Sequence, residues 1–183
     1  TGLKQKVSNY PGVTVERKEG VWRHSEFTAR IIDLPGLYSI DVTSIDEEIA
    51  HDVLVGKVEG MKRPDVVVAV VDATNIERNL YLVTQLMELG LPVVVALTMT
   101  DLAEKQGIEV DVAKMSSLLS VHVVAVRAAQ KSGLAELAQR VKDTASLAAP
   151  PERPWISDGH PAADSEDIHL SLTDDPGINR EIF

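Results

Sequence analysis

The chain has no cysteine among its 183 residues. Disulfides and thiolate metal sites are therefore excluded, which suits a reducing compartment. Aromatic residues are nearly as scarce, 4% of the chain against 44% apolar residues overall. A core with so few rings must be aliphatic, and buried parallel strands of Val, Leu, Ile and Ala covered by helices meet that need. No apolar run reaches the ~18 residues of a membrane span, so this segment is not expected to insert into a membrane. No signal peptide opens the chain and its first residue is Thr1, so a fragment of a longer polypeptide is expected. Positive charge is in deficit: 18 Lys and Arg face 28 Asp and Glu, a formal net charge of −10. That balance argues against nucleic-acid partners and against an anionic-membrane binder. His24, His51, His122, His160 and His169 show no short ligand spacing, so no histidine metal site is expected.

What is present is periodic. The length fits one domain with a short appendage. Residues 1–6 read as the end of a helix and Val7 to Gly12 as a polar loop. Thr14 to Lys18 alternates as a half-exposed strand does; Glu19-Gly20 turns it, and Phe27 to Ile32 is its returning partner. Ser44-Ile45-Asp46-Glu47 has the form of a capping box, opening a helix through about Val58. Val66 to Val71 reads as a strand buried on both faces. A helix from Leu80 to Leu89 capped by Gly90, a strand Val93 to Leu97, a helix Val112 to Leu119, a strand Val121 to Val126 and a helix from Gly133 to about Leu147 follow. This alternation means βαβ units and a parallel sheet. From Ala148 the periodicity ends. Pro150, Pro151, Pro154, Pro161 and Pro176 mix with Asp, Ser and Gly, so residues 148–183 read as a linker or disordered tail.

Polar residues at strand ends carry the chemistry, because a doubly wound sheet binds its ligand there. Asp33-Leu34-Pro35-Gly36 follows an apolar strand: the aspartate could reach a magnesium ion, and Gly36 lets a bare N–H approach a terminal phosphate. The same four residues also suit an ordinary turn. In Gly12-Val13-Thr14, the threonine hydroxyl could complete a magnesium shell, or Thr14 could simply start a strand. In Thr98-Met99-Thr100-Asp101, the Asp101 carboxylate could accept from guanine N1–H and the exocyclic amine, an edge adenine does not offer. It could equally be a helix N-cap. Arg127-Ala128-Ala129 could offer a backbone N–H to the guanine O6. One expected part is missing: no G-x-x-x-x-G-K-[ST] phosphate loop occurs in these residues. Gly56-Lys57 is the one Gly-Lys pair, and Val58 follows it.

Ser8-Asn9-Tyr10-Pro11-Gly12-Val13-Thr14-Val15-Glu16-Arg17-Lys18-Glu19-Gly20 resembles the first switch of the ferrous iron transport protein B (FeoB) family, and Asp33 to Ser39 its second switch. Asp72-Ala73-Thr74-Asn75-Ile76-Glu77-Arg78-Asn79-Leu80-Tyr81-Leu82 and Ala103-Glu104-Lys105-Gln106-Gly107 extend the resemblance, which runs from residue 1 to about 145. It implies a three-layer α/β fold of the P-loop GTPase (TRAFAC) type. The sheet would be mostly parallel with one antiparallel hairpin, lacking the first strand and phosphate loop. Residues 1–147 would be a partial G domain. The implied role is a GTP switch regulating Fe²⁺ uptake by a membrane transporter, on the cytoplasmic face of the cell membrane. GTP or GDP with Mg²⁺ would be the cofactors, and the helical and membrane domains of the parent chain the partners. Thr14 and Asp33 would serve Mg²⁺; Gly12, Val13 and Leu34 to Gly36 would face the phosphates. Thr98, Met99, Asp101 and Arg127 to Ala129 would face the base. No catalytic residue is identified, since Leu37-Tyr38 follow Gly36 and slow hydrolysis is implied. The chain departs from the family pattern at Thr98, where the motif has asparagine, and near Ala128, where a serine is usual. These departures keep a second reading open: a degenerate pseudo-GTPase, or an interaction module of the same fold that binds no nucleotide.

Overall fold

The computed structural model describes residues 6–11, 13, 15–25, 27–34, 37, 40 and 44–147. The chain divides into two compact units, Thr1–Asp65 and Val66–Phe183. In the first unit, β1 (Lys6–Asn9), β2 (Glu16–Arg23) and β3 (Thr28–Asp33) form an antiparallel sheet in that order. β1 stands where the sequence suggests a helix end and a loop. All four of its residues are exposed, so no side-chain alternation marks it; backbone pairing to β2 makes the strand, with Val7 opposite Lys18. β2 also runs straight through Glu19-Gly20, the expected turn, with Gly20 opposite Ile31. Glycine adopts extended backbone as readily as a turn. The reversal comes instead at His24–Phe27, where the His24 N–H donates to the Phe27 carbonyl at 2.9 Å. Trp22 meets Phe27 edge-on there, with ring centroids 5.3 Å apart.

Helix α1 (Ile45–Val55) begins as the capping pattern requires: the Ser44 hydroxyl accepts from the Glu47 N–H at 3.2 Å. It stops short of Val58 because Gly56 takes φ +77° and sends its N–H back to the Asp52 and Val53 carbonyls. A Cβ at Gly56 would lie 3.1 Å from the Arg63 amide nitrogen. Tyr10, Ile49, Val53 and Met61 form the core of this unit, with Val13, Val15, Ile32, Leu34 and Val58 packed around them.

In the second unit, β4 (Val67–Asp72), β5 (Val93–Thr98) and β6 (His122–Ala125) are parallel, with β5 in the middle. Val93 to Leu97 are all buried. Helix α2 (Ile76–Glu88) packs on β4 and β5, α4 (Val112–Leu119) on β6, and α5 (Leu134–Ala145) on β5 and β6; the short α3 (Thr100–Lys105) follows β5. The expected two-sided burial holds for β5 but not for β4. Ala69 and Val71 are buried, whereas Val68 is 38% and Val70 66% exposed. Val70 sits beside Ala96 in register. Leu134 and Leu137 of α5 cover Ala96 and Val124 on that face, and their cover stops short of β4. α2 starts four residues before the apolar stripe at Leu80, and its buried face is Val83, Leu86 and Met87.

Tyr10 is 2% exposed, and its hydroxyl has no hydrogen-bond partner among the described residues. Burial pushes its pKa above the ordinary 10.0, with Arg17 opposing the shift. Because the folded pKa is raised, the associated stability is present below pH 10 and lost as pH rises through the folded value. Tyr10→Phe should therefore be neutral or stabilising by about 1 kcal/mol at pH 7, since it removes a buried unpaired hydroxyl. Urea melts at pH 7 and above pH 10 should show wild type losing more stability than the variant.

Candidate functional site

The parallel order with β5 in the centre brings the loops after β4, β5 and β6 to one edge of the second unit. Thr98 ends β5: its Oγ1 donates to the Val71 carbonyl at 3.1 Å, and its own carbonyl accepts from the Ala73 N–H at 2.9 Å. These bonds staple β5 to the end of β4. Met99 then turns left-handed at φ 57°, is 52% exposed, and occupies the N-cap position of α3 without a side-chain cap bond. Asp101 is thus not the cap that its sequence position also allows. It lies exposed in the first turn of α3, and its carboxylate has no hydrogen-bond or ion-pair partner among the described residues.

The loop after β6 is closed by paired backbone bonds. The Arg127 N–H donates to Ser132 O at 3.1 Å, and the Ser132 N–H returns to Arg127 O at 3.2 Å. Ala128–Gln130 form a 3₁₀ turn inside that closure. The Arg127 side chain points across to α3: Nε donates to Thr100 Oγ1 at 3.1 Å, and the guanidinium end donates to Glu104 Oε1 at 2.7 Å. A cavity of about 240 Å³ lies here, with Thr100, Glu104, Arg127 and Gln130 around apolar Leu97 and Ala103. Of the residues expected to face the base, Arg127 lines this cavity, while Thr98, Met99, Asp101, Ala128 and Ala129 do not. The strand ends therefore bring Thr98, Met99, Asp101 and Arg127 to Ala129 to one edge. Thr98 and the Arg127 side chain are committed to protein contacts.

At the end of β4 the polar residues are also committed. Asp72 Oδ1 accepts from the Thr74 N–H at 2.8 Å and its hydroxyl at 2.7 Å; Asn79 accepts from the Asp72 N–H at 3.4 Å and donates to Asn75 O at 2.7 Å. This knot gives Asp72 to Asn79 a structural role at the turn into α2. The Thr100 and Glu104 partners of Arg127 carry no sequence signal, since the contacts span 27 and 23 residues.

In the first unit, Asp33 is the exposed last residue of β3, opposite Lys18, while Val13 and Leu34 pack against the core. Leu34 and Val13 thus contribute side chains to packing. Gly12, Thr14, Pro35 and Gly36 lie outside the described residues, and so does the expected meeting of Thr14 with Asp33. Among the described residues no cluster of three or more His, Asp or Glu could hold a metal. Asp33 by itself offers one carboxylate, the oxygen chemistry Mg²⁺ accepts while keeping several waters.

A family model for ferrous iron transport protein B matches residues 1–141. The chain belongs to the ferrous iron transport protein B family. It is 45% identical over 142 residues to the Fe(2+) transporter FeoB of Salmonella typhimurium, covering 75% of this chain. The chain spans 18% of that relative's length. The cytosolic domain of T. maritima FeoB in its GMPPNP form superposes with a TM-score of 0.75 at 38% identity, over 84% of this chain and 59% of that one. The FeoB G-domain from Methanococcus jannaschii matches at a TM-score of 0.65 and 43% identity, over 70% of this chain and 80% of that one. The α/β fold, with its parallel three-stranded sheet and separate antiparallel sheet, is that of FeoB G domains. Among the described residues, no helix is long and apolar enough to cross a membrane.

The closure of the last loop depends on Gly133, at φ +79°, where a Cβ would fall 2.1 Å from the Ala125 carbonyl oxygen. Gly133→Ala should cost more than about 2 kcal/mol, because strained backbone and a backbone clash coincide. A drop in the urea midpoint, with the amides of Ala128 to Gln130 shifted, would report it; an unchanged midpoint would contradict the geometry.

Proposed function

We propose that this chain is the guanine-nucleotide-binding switch of a FeoB transporter, in which GTP binding and hydrolysis regulate Fe²⁺ uptake. Residues 1–147 would form part of the G domain and residues 148–183 a linker. The chain would work on the cytoplasmic face of the cell membrane, joined to the helical and membrane domains of its parent polypeptide. The observation that carries this reading is Asp101: a carboxylate with no hydrogen-bond or ion-pair partner among the described residues, in the first turn of α3 at the carboxyl end of the central strand. It supplies two acceptors for the N1–H and exocyclic amine of guanine, and adenine would leave them facing the wrong edge. Family membership supports it, as does the GMPPNP form of the T. maritima relative.

On this proposal Asp33 and Thr14 would hold Mg²⁺, whose charge would offset the phosphates when nucleotide is bound. Gly12, Val13 and Leu34 to Gly36 would lie along the phosphates, with the backbone N–H groups of Gly12, Val13, Leu34 and Gly36 as donors and Pro35 shaping the turn. Ala128 and Ala129 would offer N–H groups to the guanine O6. Hydrolysis is assigned to no side chain of this segment. The second reading, a degenerate module that has lost nucleotide, is favoured by one specific contact. The Thr98 hydroxyl proton is spent on the Val71 carbonyl, so it is not available to orient a base-side loop.

Calorimetric titration of this polypeptide with a non-hydrolysable GTP analogue and Mg²⁺ should give a Kd above ~100 µM, because its residues include no phosphate loop to carry the phosphate charge. Guanine should still be preferred over adenine, and Asp101→Ala should erase that preference. Thr98→Asn should tighten guanine binding about five-fold, the effect of one restored polar partner. Wild type showing equal affinity for the GTP and ATP analogues would favour the degenerate module.

A further inference from the structure

The geometry points to Arg127 and Glu104 as positioning residues that hold the two base-side loops at a fixed separation. This inference rests on the guanine reading of Asp101. The loop after β6 and helix α3 come from segments 23 residues or more apart, and no ladder bond joins them. Among the described residues, their side-chain hydrogen bonds come from one residue. Arg127 Nε donates to Thr100 Oγ1 at 3.1 Å and its terminal nitrogen to Glu104 Oε1 at 2.7 Å.

The placement of these three residues gives the strap its leverage. Thr100 and Glu104 lie one turn apart on α3 and flank Asp101 in sequence, so a guanidinium held by both fixes the helix against rotation as well as translation. At the other end, Arg127 is itself locked by its two backbone bonds with Ser132. The backbone amides of Ala128 and Ala129 follow directly, so Arg127 sets where they stand relative to the Asp101 carboxylate. A planar fork with several donors can serve two acceptors in fixed directions, which a lysine ammonium cannot reproduce.

Exposure limits what the pair contributes to stability. The side chains of Arg127 and Glu104 are 36% and 63% exposed, and ion pairs so open to solvent add little to folding. The strap's effect should therefore appear in base selectivity rather than in the unfolding midpoint. That separates a positioning role from a merely structural one.

The test uses this polypeptide, ¹⁵N-labelled and titrated with GDP and separately with ADP. The amides of Asp101 to Ala103 and Ala128 to Gln130 are followed, with amide exchange of the same residues measured in the ligand-free protein. Glu104→Ala and Arg127→Ala should each speed exchange in Ala128 to Gln130 and lower the GDP-over-ADP preference about five-fold, in line with loss of a partly exposed charged contact. The double variant should be no worse than either single one. The charge-swapped pair E104R/R127E should recover part of the preference, and Arg127→Lys less of it. Wild type that prefers GDP, with both alanine variants unchanged in exchange and preference, would overturn the strap while leaving the guanine reading intact. Wild type with no preference for GDP would overturn the guanine reading and the strap's selectivity role together.

Discussion

Thr98 fixes the geometry at the end of the central strand. Its hydroxyl donates to the Val71 carbonyl and its carbonyl receives the Ala73 N–H, so β5 cannot slide against β4. The chain must then leave the sheet at one point, and it does so through the left-handed turn at Met99. The arrangement at this edge follows from that exit: where α3 begins, which face Asp101 occupies, and where Arg127 finds its acceptors. The five buried aliphatic residues before Thr98 make the arrangement rigid, since moving β5 would open voids on both faces of the sheet.

The second unit was largely readable because its pattern is local. Apolar runs of five or six residues separated by helical stripes leave few alternatives to a parallel sheet, and α4 lies over Val112–Leu119 as the periodicity indicates. The first unit was less readable for the opposite reason. β1 is exposed along its whole length and exists only through its partner, so no property of Lys6 to Asn9 taken alone distinguishes it from a loop. Gly20 misleads in the same way: glycine permits a turn without requiring one, and the pairing of β2 with β3 decides. Val70 was unreadable because burial depends on how far α5 extends, which belongs to another part of the chain.

Side-chain commitments separate the polar residues of the candidate site more sharply than their identities do. Asp72 and Asp111 are aspartates like Asp101, yet each is bonded to a nearby backbone N–H at a turn or helix start. Asp101 has no such bond among the described residues, although its place in a first turn would favour one. Asp33 likewise ends its strand exposed. A sequence motif treats all of these acids alike; the hydrogen-bond pattern among the described residues leaves the exposed carboxylates of Asp33 and Asp101 uncommitted.

Thr98 stands where the motif of the resembled family has asparagine, and that difference has a structural counterpart. An asparagine amide carries two donor hydrogens as well as an acceptor, enough to hold its own strand and reach a second loop. Threonine has one hydroxyl hydrogen, and here the Val71 carbonyl takes it. The connection between α3 and the loop after β6 is supplied from the far side, by a guanidinium with donors to spare. The Thr98 hydroxyl thus ties β5 to β4, while Arg127 ties the loop after β6 to α3, so the two contacts divide between them the holding of the strand end and of the loop beside it.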